Sequence, residues 1–587
     1  MWTLWQSQVG WKEVTEVGII AYFGSILFRI FVLVQLTLML FFAPLAAATA
    51  VAHEKDRRTF VLLLMTDLRD IEIILGKLVA SLLQIVTLLL TSAPVFFLCM
   101  LLGGTSAEQV IDILCITAAA GIAGGSLGLF VALGRDRTFQ SLALTVLAIV
   151  LSMIAIEAIG LVFPGLKIFG VPFAQALDPY RTALSVTDPA TGLSAPAIRP
   201  SIIFIVAALS VATTFVTAGI VMLRKWNPGK AEPREQRDGE EAEVVDQIIE
   251  VEEIPSHAFA EGATTTVWTG SAVATEVASG DHVDADSDEG EVAASTGLHV
   301  PRRRHKRVAR APGKYRMPWE TPIIWREVMT RAYGTKPLII KGAYVLAFVL
   351  GVAWYHSSPD ALADAWRPGW LLGFLSILSL LLVNAQGVTA LTSERDTGAL
   401  DLLLVTELSP KEFIYGKLYG VLYNTKEMVV LPVLLVVWLT IYGAISLETA
   451  SFMIIDFLLF AHFSAMLGLH AAITYTNSRT AVANSLGTIF FLMVGIIVCA
   501  WLIILSDREV GRQLLSFLIF IGAGSVALFA SLGARNPSRA IAIVALLTPF
   551  CSFYCIISLI NREAGAAFLC STGVYGFALL AMLVPAV

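Results

Sequence analysis

The sequence predicts an all-α polytopic membrane protein: two parallel tandem transmembrane helical domains, about five plus eight spans, joined by a disordered cytoplasmic linker. Three observations carry this expectation. Of the 587 residues, 57% are hydrophobic and only 15% are charged, with a mean hydropathy of +0.76, more apolar surface than a water-soluble chain of this size can hide. Nearly uncharged runs of about 20 residues recur, the length that crosses a bilayer as a helix. One segment of 29 residues, rich in charge, occurs twice.

In the first half the apolar runs are Ile30–Ala52, Leu78–Leu102, Ile113–Leu133, Phe139–Phe163 and Ser201–Leu223. In the second they are Leu338–Tyr355, Pro368–Ser393, Leu418–Tyr442, Phe457–Thr476, Thr480–Ser506, Leu514–Leu532, Ala540–Ile560 and Ala564–Val587. Basic loops stay on the inner side. Placing Lys55, Arg57, Arg58, Arg69 and Lys77 inside puts Arg135, Arg137, Arg224, Lys225, Arg395, Lys411, Lys417, Arg479, Arg535 and Arg539 inside as well. The alternate loops 103–107 and 443–448 carry no Lys or Arg, and 164–200, with three in 37 residues, falls outside. No cleavable leader is expected at the start, which lacks a basic region followed by a short apolar core.

Ala50–Leu78 and Ala390–Leu418 align without a gap at an offset of 340, with thirteen of 29 positions identical. The identities include Glu54/Glu394, Asp56/Asp396, Leu62–Leu64/Leu402–Leu404, Thr66/Thr406, Glu72/Glu412 and Gly76-Lys77/Gly416-Lys417, polar matches that apolar composition would not produce. The small-residue pair Gly124/Gly128 recurs as Ser464/Gly468, as close helix packing requires. Six spans separate equivalent positions, so the copies face the same way. The resulting domains are 1–224, a linker 225–317, and 318–587.

The copies differ at their ends. The second opens with Pro318–Gly334, an amphipathic stretch with Trp319, Ile323, Arg326 and Glu327, expected to lie in the plane of the inner leaflet ahead of span 338–355. Its counterpart at the same offset would fall before Met1, so the first copy lacks this helix and first span or the chain starts further upstream; the latter is expected. The second copy carries extra spans, expected at its end.

The linker has its own composition. Between Ala231 and Val300 there are 18 Asp+Glu against two Lys+Arg, and eight Lys/Arg follow between Arg302 and Arg316. Such a segment cannot bury enough surface to fold. Its basic end, Arg302–Arg307, abuts a membrane helix and suits anionic lipid rather than nucleic acid.

Each repeated segment reads as an elbow: a span ending inside, a charged corner, a short leucine-bearing run, a turn, and Gly-Lys opening the next span. Corners of this form resemble the type-2, exporter-type ABC transporter permease family, whose pattern appears as Glu54-Lys55-Asp56-Arg57-Arg58-Thr59 with Leu62–Leu64 and Thr66, and again as Glu394-Arg395-Asp396-Thr397-Gly398 with Leu402–Leu404 and Thr406. Pro322-Ile323-Ile324-Trp325-Arg326-Glu327 looks like the family's interfacial element; Ala399 departs from the usual Thr, and eight spans exceed the usual six. The resemblance implies a permease subunit of an ATP-driven exporter in a bacterial inner membrane, with ATPase subunits, two copies, docking at Glu54, Lys55, Asp56, Arg57, Glu394, Arg395 and Asp396. Independently, both Gly-Lys pairs lack the flanking residues of a phosphate loop, so no ATP hydrolysis by this chain is expected. A non-transporting membrane scaffold with the same fold is the alternative.

Ionisable groups inside spans are candidates for a substrate path: Glu157, and the adjacent Lys426 and Glu427, which replace Val86 and Thr87 of the first copy and point to different helix faces. His462 and His470 read as hydrogen-bonded interior residues. The six cysteines all lie in apolar runs, without a CxxC pair or a histidine at zinc spacing, and read as small hydrophobes.

Overall fold

Where a run of apolar residues has no water to satisfy its backbone, the helix is the conformation that pairs every N–H and C=O internally. The computed structural model describes residues 17–57, 59–135, 138–163, 165–187, 198–226, 321–329, 337–356, 366–505, 514–533 and 538–586. Nineteen helices lie among them. In the first half they are α1 (Val17–Asp56), α2 (Thr59–Leu64), α3 (Asp70–Leu101), α4 (Ala107–Leu133), α5 (Thr138–Val162), α6 (Phe173–Leu177), α7 (Pro179–Thr187) and α8 (Pro200–Trp226). The second half has α9 (Pro322–Met329), α10 (Pro337–His356), α11 (Trp366–Asp396), α12 (Ala399–Leu404), α13 (Pro410–Asn424), α14 (Lys426–Ile441), α15 (Leu447–Thr474), α16 (Ser478–Leu505), α17 (Leu514–Leu532), α18 (Arg539–Ile560) and α19 (Ala564–Ala586). A two-stranded antiparallel ribbon, β1 (Lys167–Ile168) with β2 (Val171–Pro172), pairs Lys167 with Pro172.

The protein is all-α and multi-pass: among the described residues eleven helices are long and apolar enough to cross a membrane, and the bent pair α13–α14 makes a twelfth. Five of these fall in the first half, as expected. In the second half the run read as one span over Leu418–Tyr442 starts earlier, at Pro410, and breaks at Thr425, where α13 and α14 meet at 59°. A polar pair follows the break. Lys426 sits over the Tyr423 ring at 4.2 Å, and Glu427 pairs with Lys341 of α10 at 2.6 Å. In α3, with Val86 and Thr87 at those positions, the helix runs on unbroken. α17, Leu514–Leu532, is a further uncharged helix of 19 residues. The linker, Trp319 and the basic stretch Arg302–Arg307 lie outside the described residues, as do residues 1–16.

Elements recur at the offset of the sequence repeat. α1 ends at Asp56 and α11 at Asp396; α2 and α12 share limits; α4 and α15 begin at Ala107 and Leu447. Packing recurs with them. Gly128 of α4 lies so close to α1 that a Cβ there would stand 2.3 Å from the Pro44 carbonyl oxygen, and one on Gly468 of α15 would stand 2.6 Å from the Val388 nitrogen of α11. Small residues permit this approach of backbones. Across the halves, α1 packs on α16 and α11 on α5, with Phe41 stacked on Phe490 at 4.0 Å between centroids.

The extra spans sit elsewhere than expected. α8 packs along α4, and the helix that packs along α15 in the same way is the last one, α19. The additional pair is therefore α17–α18, inserted before α19. In the first half that stretch of chain forms the ribbon and the short helices α6 and α7 instead.

Candidate functional site

Both corners form because a long helix stops at a charged residue and a six-residue helix turns away. At the second corner Gly398 takes φ +76°, the left-handed region open to glycine, so the reversal is complete within two residues. Glu72 and Glu412 then close the elbows: each accepts from the backbone N–H of its helix's N-cap residue, Arg69 at 3.0 Å and Ser409 at 3.1 Å. Thr66 and Thr406 each donate to the carbonyl three residues back, at 2.6 Å.

The corner charges are turned inward, and they recur as pairs. Glu54 pairs with Lys77. Glu394 pairs with Lys417 at 2.6 Å, 340 residues on. The lysine of each Gly-Lys step thus ties the second arm of its elbow to the first. The next residue in each copy caps a helix end. Lys55 donates to the carbonyl oxygens of Leu133 and, at 3.1 Å, Arg135, at the C-terminus of α4. Arg395 donates to Ala472 at 2.9 Å and Tyr475 at 2.7 Å, at the C-terminus of α15, and to the Ser478 hydroxyl. Cations there satisfy orphan carbonyls and oppose the helix dipole. Asp396 crosses to the other corner, 3.4 Å from His53 and 3.5 Å from Arg57. The two corners therefore lie side by side at one end of the molecule. The structure describes the backbone of Asp56 only.

In the second half the interfacial helix joins the network. Ile323 and Glu327 of α9 are buried against α13. A Cβ on Gly416 would meet Ile323 at 2.6 Å, and one on Gly420 would meet Glu327 at 2.7 Å, so these glycines form the seat of the helix. Lys417 and Glu327, 1% and 2% exposed, pair at 2.6 Å, and Arg326 reaches Glu394. Two cations and two carboxylates thus balance. In the first half Gly76, the match of Gly416, has nothing within 4 Å of a Cβ. A cavity of about 470 Å³ opens beside the Glu54–Lys77 pair between α1, α3 and α16, lined by Met39, Thr49, Ser81 and Arg479 among others.

Beside these pairs, each elbow presents large apolar side chains outward, among exposed polar ones such as Asp67 and Asp401. Leu62 is 65% and Met65 73% exposed; Leu402 is 74% and Val405 87% exposed. Sequence reasoning placed the docking function on the charged residues because they are the matched polar positions. The matches Glu54/Glu394, Glu72/Glu412 and Lys77/Lys417 make equivalent bonds inside their elbows, and burial alone separates Leu62 from its buried neighbour Leu64.

Neither a family model, a curated protein nor a solved structure matches this chain.

The intramembrane candidates do not converge. Glu427 is held by Lys341, and Lys426 is exposed beside Tyr423. Glu157 lies at the opposite end from the corners, in a double hydrogen bond with Arg181 of α7, both arms 2.5 Å. A cavity of about 640 Å³ adjoins it, lined by Arg29, Glu157, Phe163, Phe173 and Arg181. Burial, reinforced by a hydrogen bond with Glu157, raises the Asp178 carboxyl to about 6. Cys551 and Cys555 of α18 and Cys570 of α19, read in the sequence as separate apolar positions, come together in one cluster.

Proposed function

We propose that this chain is the permease subunit of an ATP-driven ABC exporter in a bacterial inner membrane, built from two parallel tandem transmembrane domains, with ATPase subunits supplied by another chain and docked on its two elbows. One observation carries the reading: a braced elbow, with large apolar side chains exposed on it, recurs at an offset of 340 residues and lies beside its copy at one end of the bundle. Two equivalent faces side by side suit two copies of one partner. A short helix held rigidly by an ion pair and a capped neighbour transmits displacement to the spans it joins, because packed interiors move as units. The linker, by its charge, belongs on the same side as the corners, its basic end against anionic lipid.

The face to test is the apolar one, since replacing Glu394 or Arg395 also breaks the elbow. Met65→Asp combined with Val405→Asp is expected to leave membrane insertion intact and to abolish co-purification of a soluble ATP-binding subunit from native membranes. Retention of that subunit by the double variant sinks docking at the elbows. A retained complex whose ATP turnover no candidate lipid, drug or glycan stimulates favours a scaffold over a transporter.

A further inference from the structure

We propose that Cys551, Cys555 and Cys570 form a three-thiolate site for a soft monovalent cation of the Cu(I) class, set within the bundle between α18 and α19. Cys551 and Cys555 stand one helical turn apart on α18, and their sulfurs are 3.7 Å apart. Cys570 comes from α19, its sulfur 3.1 Å from that of Cys551. All three sulfurs lie within 4.8 Å of one another. Three sulfurs each about 2.3 Å from one central ion stand about 3.8–4.0 Å apart, so the cluster needs only small side-chain rotations to close around it.

The surroundings choose the ion. No histidine or fourth cysteine among the described residues joins the group. Structural zinc takes four ligands, whereas thiolate-only sites of low coordination number suit Cu(I). A carboxylate waits beside the sulfurs: Asp456 of α15 accepts from Ser571 at 2.8 Å and Thr572 at 3.0 Å, the residues that follow Cys570. By holding Ser571 and Thr572, Asp456 orients the turn that carries Cys570, an outer-shell role. Cys555 and Cys570 are half-exposed and Cys551 is buried, so an ion enters from the helix edge. The cluster lies about 8 Å, five or six residues of helical rise, from the Asn561–Glu563 turn at the end of the bundle away from the corners. Binding is ligand exchange: each thiolate formed releases one proton, and no electron moves.

The test uses the full chain, purified under nitrogen in lipid nanodiscs, loaded with Cu(I) alone and challenged with a chromophoric Cu(I) chelator. One copper per chain is expected to remain, with a three-sulfur shell by X-ray absorption. Cys551→Ser, Cys555→Ser and Cys570→Ser should each lower retention at least tenfold, Asp456→Asn about tenfold, and a Cys99, Cys115, Cys499 triple Ser variant not at all. Cys570→Ser, at the bundle edge, keeps the test decisive if the buried Cys551 variant fails to fold. Three outcomes overturn the proposal: copper lost from the unaltered chain as readily as from the Ser variants, Zn(II) held in preference to Cu(I), or a Cys551–Cys570 disulfide in the anaerobically isolated protein.

Discussion

At the residue scale, environment rather than identity decides what each charged group does. Glu54 and Glu157 are both acidic residues at the ends of apolar helices. One braces an elbow through Lys77, and the other anchors α7 through Arg181. Asp178 shows how burial converts such a group into a pH-sensitive one. Its backbone carbonyl and side chain hold the first turn of α7, accepting from the Thr182 hydroxyl at 2.9 Å and the Tyr180 N–H at 2.8 Å. Its folded carboxyl sits at about 6 against an ordinary 3.8, so the folded state holds this proton more tightly than the unfolded one. The stability it contributes is fully present below about 4 and is lost as pH rises through about 6. Hydrogen exchange of residues 173–187, compared between the unaltered chain and Asp178→Asn at each pH from 4 to 7, is expected to show added protection at the acid end only when Asp178 is present. Identical profiles would falsify this assignment.

At the element scale, α9 is held by a seat of glycines and a buried ion pair rather than by apolar burial alone. Removing one member of a buried pair leaves the other charge uncompensated, at a cost of about 3–5 kcal/mol. Lys417→Met is therefore expected to lower thermal stability sharply. Adding Glu327→Leu should recover part of the loss, because both charges of the most deeply buried pair are then gone. Lys77→Met, whose pair with Glu54 is about a quarter exposed, should cost less. Equal destabilisation by the two lysine substitutions would show that α9 adds nothing to its corner. The α13–α14 pair differs in the same place: the helix breaks at Thr425, just before Lys426-Glu427, whereas α3 stays continuous at Val86-Thr87.

At the scale of the whole molecule, one core runs through both halves, from Leu45 and Leu142 to Val388 and Leu486. The corners touch through Asp396, whose side chain is 4% exposed while Arg57 is 47% exposed. A double-mutant cycle on Arg57→Ala and Asp396→Ala, read by thermal unfolding, is expected to give a coupling energy of about 1 kcal/mol, the upper end for a pair with one solvated partner. A coupling near zero would mean that the two elbows respond independently, which weakens the case for one partner set moving both.

The sequence by itself determined the class of the protein, the five spans of its first half and the positions of both elbows, because hydrophobic run length and a charged repeat are local, one-dimensional signals. It also placed the glycines Gly128 and Gly468 at close helix crossings, since backbone approach demands small residues wherever it occurs. Only the tertiary structure decided which side of the elbow faces out. Leu62 and Leu64 are identical letters two residues apart, one exposed and one buried, and their difference depends on helices packed from far along the chain. The inward turn of Glu394 toward Lys417 and Arg326 was hidden for the same reason. So was the meeting of Cys551, Cys555 and Cys570, where α18 and α19 fold back on each other and bring side chains 15 to 19 residues apart within a sulfur's reach.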